Sequence, residues 1–346
     1  MSDMQQMMKD TCQRFLADVS IRENWENQPH DDLPTGDWAN LSELGLPRVA
    51  MPEELGGVGG DFQDMCEMAY VAGYSASHLP LVEAMLGNWL CGMAGFEIAE
   101  DAVPMLAMDS LISDEPAQPA TGTVHNLRSA RFATHFLLPE TRDGALWVSL
   151  VDREGVTVEN SANAADEPSD MVANLASAEV IATAQLSCNP VDLAHVSALL
   201  HASQMSGAME HALETTVQYT QDRSQFGRPL VKFQAVQHMI AEATAYIGAS
   251  RRISAAAADA WGTDNFGFLA AVAKGYTSES VGPVTDACHQ CFGAMGFTRE
   301  CLLHVFTRRL WCWREEFGSE RYWYGKVGEK IRKEASDDIW SFVADM

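Results

Sequence analysis

Three cationic side chains crowd into one short interruption of an otherwise acidic chain. In QDRSQFGRPLVKF, Arg223, Arg228 and Lys232 stand at the end of one apolar-periodic segment, in a Gly- and Pro-shaped turn, and at the start of the next segment. A guanidinium offers a forked donor set that matches pyrophosphate oxygens. The backbone amides of a fresh helix N-terminus favour the same anion. The same composition also reads as a solvated basic loop between two helices. A second stretch, HQCFGAMGFTRE from His289 to Glu300, sets Gly293 and Gly296 where a backbone could approach a ligand closely, with Gln290 as a hydrogen-bonding amide. Its plain alternative is a helix C-cap with Gly296 in the left-handed region. Cys288 and Cys291 have CxxC spacing, but without a second pair they read as core packing rather than a metal or redox site.

These stretches must be held by helices. Met205, Met209, Leu213 and Val217 step by four, which predicts a long helix from Val191 to about Asp222. Phe233, Val236, Ile240, Ala243 and Ile247 alternate spacings of 3 and 4 and predict a helix over about 230–262. Further helices are expected at about 266–290, 300–316 and 324–343. Residues 1–104 read as helices, broken by the Pro- and Gly-rich LSELGLPRVAMPEELGGVGGDFQDM, in which Asp61 or Asp64 could open the next helix. Residues 105–189 carry short β-rich runs, ARFATHFLLPE, GALWVSLVD, GVTVEN and EVIATAQL, with ENSANAADEPSDM as a polar loop. The order is α, then β, then α, with the element types segregated. That is an α+β chain with a helical domain at 1–104, a small β domain at 105–189 and a helical domain at 190–346, and it argues against a Rossmann or barrel layout.

Composition narrows the partners. The chain of 346 residues carries a formal net charge of -25, which disfavours nucleic acid and anionic membranes. Residues 1–210 hold 8 Lys+Arg against 32 Asp+Glu, whereas residues 211–346 hold 15 against 16. An anionic ligand is therefore expected in the last third. No run reaches the ~18 apolar residues of a membrane span. The first residues lack a basic region followed by an apolar core, so a cytoplasmic location with reduced cysteines is expected.

The order of PEELGGVGG, then RSQFGRPLVKFQAVQHMIAEA, then QCFGAMGFTRE followed by a helix resembles the acyl-CoA dehydrogenase superfamily. The likeness is strong over about 191–318, fair over 42–90 and weak in the strand zone. It implies a helical domain, a central β domain and a C-terminal four-helix bundle. It also implies FAD as cofactor, an acyl-CoA substrate and an electron-transfer flavoprotein as acceptor. By the resemblance, Arg223 meets the pyrophosphate of FAD held mainly by a neighbouring subunit. Phe226 maps to an apolar flavin-side contact and Gln234 to a polar contact at the adenosine end. Gln290, Gly293 and the backbone near Ala294 map to the segment touching adenine and ribose.

The resemblance breaks where the family does its chemistry. A glutamate there removes an α-proton, made acidic by the thioester, while a hydride leaves the β-carbon for the flavin. The usual position, in an E-G pair, is Phe317 before Gly318. The alternative position, early in the helix before the basic turn, is Ser197. Neither is a carboxylate; Glu316 would serve only after a one-residue slip, and Glu315 and Glu316 otherwise read as an exposed acidic helix end. AMDSLISDEPAQPATG lacks the family's glycine–serine turn over the flavin ring, Leu127 stands where a flavin-contacting threonine is usual, and the β domain reads as shortened. The expectation is therefore a base-lacking subunit paired with a homologous catalytic acyl-CoA dehydrogenase subunit in a heterotetramer, as in bacterial sterol or bile-acid side-chain degradation. A self-sufficient homo-oligomer using Glu316 and a structural homologue without productive flavin are the other readings.

Overall fold

The structure is a computed structural model and describes residues 3–20, 31–109, 122–187, 190–334 and 339–344. It forms two compact units, residues 1–197 and 198–346. The first begins with α1 (Asp3–Val19), α2 (Thr35–Glu43), α3 (Phe62–Tyr74) and α4 (Leu81–Ala94). Both acids proposed to open α3 do so together. The Asp61 side chain accepts from the Asp64 amide at 3.0 Å, and the Asp64 carboxylate accepts from the Asp61 amide at 3.0 Å. This reciprocal cap satisfies two amides that the helix itself leaves unpaired.

Two small sheets follow. β1 (Pro104–Leu106), β3 (His135–Arg142), β4 (Ala145–Asp152) and β7 (Val180–Gln185) form a sheet in the order β1-β3-β4-β7, with only the β1–β3 pair parallel. β2 (Thr123–Arg128), β6 (Ser169–Ala173) and β5 (Thr157–Glu159) form an antiparallel sheet in the order β2-β6-β5. β6 corrects the sequence reading, because it starts inside the stretch taken for a polar loop. Its Asp170 is fully buried, yet it accepts from the Arg131 side chain at 2.6 Å, the Arg131 amide at 2.8 Å and the Ser161 amide at 3.0 Å. A fully hydrogen-bonded buried carboxylate hides a strand from any hydrophobic pattern.

The second unit begins within α5 (Pro190–Asp222) and continues through a two-residue hairpin, β8 (Ser224–Gln225) and β9 (Arg228–Pro229), to α6 (Gln234–Asp259). Next come α7 (Phe266–Phe292), α8 (Leu303–Glu315), α9 (Glu320–Glu334) and α10 (Ile339–Ala344). The single helix expected over 324–343 is thus α9 and α10, with 335–338 outside the described residues. α7 packs against α6, α8 and α9. Its buried residues, from Phe266 to Phe292, include Lys274, Thr277, Ser278, Ser280 and Thr285 among the apolar ones, in keeping with a central helix. The architecture is α+β, with helices, then small sheets, then helices. No described helix is long and apolar enough to cross a membrane.

Candidate functional site

The basic turn is a tight hairpin. Ser224 pairs with Pro229 and Gln225 with Arg228, which leaves Phe226 and Gly227 as the two turn residues, with φ of +53° and +80°. Two successive positive φ values are the sign pattern of the type I′ turn, which prefers Asn-Gly or Asp-Gly. The β3–β4 hairpin uses that preference, with Asp143 and Gly144 at +50° and +79°. At the basic turn a phenylalanine takes the first position, at a cost of about 1–2 kcal/mol for a non-glycine residue. Its ring is nevertheless 91% exposed. Arg228 stacks over Phe233 at 4.1 Å, whereas no hydrogen bond or ion pair among the described residues engages the exposed Arg223 guanidinium. Gln234, the first residue of α6, is exposed too. Of the apolar period leading into α6, Ala243 and Ile247 are buried, whereas Phe233, Val236 and Ile240 stay half-exposed. The apolar period is real, but its first two turns are only partly covered by the described residues.

The second segment starts beside the first. Tyr219, one turn before Arg223, stacks on Phe292 at 4.2 Å between ring centres, and Gly293 follows directly. The C-cap of α7 is Gly293, at φ +59° and ψ -141°, a conformation open in practice only to glycine. This corrects the sequence alternative, which put Gly296 there; Gly296 is buried, and a Cβ on it would lie 2.9 Å from Phe292 Cβ. Gln290, Gly293 and Ala294 are all exposed. Cys288 and Cys291 are buried free thiols, and burial pushes Cys288 up to about 11, so it stays protonated at neutral pH.

The turn between α8 and α9, where the resemblance puts the family's base, is built differently. Phe317 is buried at φ +53°, and its ring lies 4.3 Å from that of His201 on α5. Ser197, the alternative base position, is fully buried one turn earlier on the same helix. Glu315 is exposed, but Glu316 is buried, which corrects the reading of both as an exposed acidic end. Lys274 is coupled to Glu316 electrostatically. Its ammonium, fully buried on α7, donates to Ser278 Oγ at 2.9 Å and to the carbonyls of Trp313 at 3.1 Å, Arg314 at 3.0 Å and Gly318 at 2.9 Å. Burial lowers Lys274 to about 7; Glu316 opposes that shift most strongly, then Glu315 and Glu320. Trp323 Nε1 donates to the Phe317 carbonyl at 2.8 Å.

Lys274, His201 and Trp323 were not singled out from sequence. A lone lysine directly after the apolar run FLAAVA was the available signal, because an unpaired buried ammonium is prohibitive. Leu127 is buried on β2 and brings no hydroxyl there. The AMDSLISDEPAQPATG stretch lies mostly outside the described residues.

The order of helices, small sheets and helices is that of the acyl-CoA dehydrogenase fold. The acyl-CoA dehydrogenase N-terminal domain matches residues 2–101, and the acyl-CoA dehydrogenase C-terminal domain matches residues 192–328. The chain belongs to the acyl-CoA dehydrogenase superfamily. It is similar to acyl-CoA dehydrogenase IpdE2 of Mycolicibacterium smegmatis, at 27% identity over 89% of this chain and 93% of that one. Among solved structures it resembles a chain of the ChsE4-ChsE5 complex from Mycobacterium tuberculosis, with a TM-score of 0.86, 19% identity and coverage of 97% and 99%. A variant of the Tcur3481-Tcur3483 steroid ACAD gives a TM-score of 0.83 at 21% identity, covering 96% and 99%. At such identities these two likenesses establish the fold.

Proposed function

We propose that this chain is the base-lacking subunit of a heteromeric, FAD-dependent acyl-CoA dehydrogenase. The assembled enzyme oxidises an acyl-CoA thioester to the trans-2-enoyl-CoA and passes electrons to an electron-transfer flavoprotein. The observation that carries the reading is Phe317, a buried phenyl ring at the family's base position, packed on His201. Ser197 at the other base position has no acidic group, and Glu316 is buried and raises the proton affinity of Lys274 electrostatically. A general base must reach the proton it removes, and a carboxylate buried inside the fold is poorly placed for that.

The exposed turn fits the outer end of a dinucleotide. Arg223 supplies a forked cation without a described partner, Gly293 has nothing within 4 Å of where a Cβ would stand, and the Tyr219–Phe292 stack keeps their segments together. In this reading Arg223 holds the pyrophosphate, Phe226 lies along the flavin side, and Gln234, Gln290, Gly293 and Ala294 line the adenosine end. FAD, when bound, supplies the hydride acceptor. The ChsE4-ChsE5 complex and the two-part steroid ACAD support a homologous partner and a steroid-linked acyl group. The location is cytoplasmic, and the domains divide near 104 and 189.

Expression alone and together with a base-bearing homologue tests the reading. The chain alone should purify without stoichiometric flavin, and co-expression should give a yellow, active complex. Full flavin and turnover from the chain alone would contradict it.

A further inference from the structure

The α8–α9 turn invites a separate question: whether this chain lost only the base or also the structure that would hold one. Four features fix the turn. Lys274 grips it at both ends, through the Trp313 and Arg314 carbonyls of the last helical turn and the Gly318 carbonyl beyond it. Trp323 holds the carbonyl of the residue in between. Gly318, at φ +91°, admits no larger residue, because a Cβ there would lie 2.5 Å from Trp323 Nε1. Arg314 and Glu320 close the outer side through a hydrogen bond of 2.9 Å from Arg314 Nε and a second, shorter contact.

We infer that Lys274 is a positioning residue that fixes the side chain at 317 against His201, so that the base-holding platform survives intact and only the side chain it presents has changed. This rests on the reading that 317 is the base position, but the geometry it claims is tested independently of that reading. An ammonium has three donors and meets four acceptors here, all from α7 or from the turn. A positive charge also suits the carbonyl end of α8. The charged groups around it are Glu316, Glu315, Glu320 and Arg314. Phe317 would not hold a positive φ unaided, since a bulky residue there is strained unless its surroundings fix it.

The full-length chain and its Lys274→Met, Lys274→Gln and Phe317→Leu variants provide the test. The first readout is amide hydrogen exchange, comparing residues 313–318 with the rest of α5–α9. The second is the imidazole signals of His201 in 15N-histidine-labelled protein, assigned by difference from His201→Gln. Lys274→Met should lose protection in 313–318 selectively, on the order of tenfold. Its His201 signals should move to the positions seen in Phe317→Leu, because the ring no longer shields the imidazole. Lys274→Gln, which keeps two N–H donors, should fall in between; if the methionine variant does not fold, the lysine–glutamine contrast carries the test. Protection lost evenly over all helices, or unmoved His201 signals in a folded variant, would overturn the inference. Turnover plays no part in either readout, so a failed dehydrogenase reading and a failed positioning role remain distinguishable.

Discussion

The same dipeptide, Phe-Gly, makes both decisive turns of the C-terminal helices, and with nearly the same backbone. Phe226-Gly227 has φ of +53° and +80°; Phe317-Gly318 has +53° and +91°. The first phenyl ring is 91% exposed and the second is buried. One turn is held by two hairpin pairs and faces outward beside an unengaged arginine. The other is fixed by a buried ammonium and an indole N–H. Backbone strain at the buried turn is offset by packing. At the exposed turn the described offsets are the hairpin pairs and one edge-to-face contact of Phe226 with Phe233, 6.2 Å between ring centres, which leave most of the ring in solvent.

Substitutions that treat the two turns differently sharpen this contrast. The largest effect on stability is expected at Lys274. Lys274→Met strands the Trp313 and Gly318 carbonyls, while Ser278 Oγ still donates to the Arg314 carbonyl at 3.3 Å, and it removes the desolvation of an ammonium, for a net loss of roughly 2–4 kcal/mol in chemical denaturation. The pH dependence has a definite sign. Lys274, at about 7 when folded, binds its proton less tightly than in the unfolded chain, where 10.5 is the ordinary value. Its burial penalty is therefore complete below about 7 and is relieved as pH rises toward 10.5, so stability should gain over that window. The methionine variant should lack this gain.

At the exposed turn the expected loss is of binding rather than of fold. Arg223→Ala should lower flavin affinity of the assembled complex on the order of tenfold or more, with an unchanged thermal transition. Arg223→Lys should recover only part of it, since the fork is lost. Flavin titration of the assembled variants checks both. The smallest effect has opposite signs in two assays. Phe226→Asn creates the Asn-Gly pair that this turn prefers and should stabilise the isolated chain by about 0.5–1 kcal/mol. It should also reduce flavin content or assembly. A variant that gains in both would show that the exposed ring has no partner.

The parts legible in the sequence were those with local signals. The acid pair at α3, the long α5 and the basic turn follow from spacing and cap chemistry, which act within a few residues. β6 was hidden because its buried Asp170 is neutralised by Arg131, far away in sequence. The α6 stripe was legible as a period but not as a surface left half-exposed, because the period does not say which molecule covers it. The base-position turn was located by resemblance, yet its hardware was missed. Lys274 lies 44 residues before the Gly318 carbonyl it grips, and no local pattern encodes such a bond.

The central claim is that the working carboxylate belongs to a partner. The most direct measurement is the rate of flavin reduction by acyl-CoA in two assembled complexes, one carrying Glu316→Gln in this chain and the other carrying Glu→Gln in the partner's E-G pair. Loss of a true general base costs on the order of 10²–10⁴-fold. The account predicts that the partner's substitution abolishes reduction and that Glu316→Gln changes it by no more than about twofold. A base-sized loss from Glu316→Gln, with flavin content and assembly intact, would contradict it and make this chain a dehydrogenase in its own right.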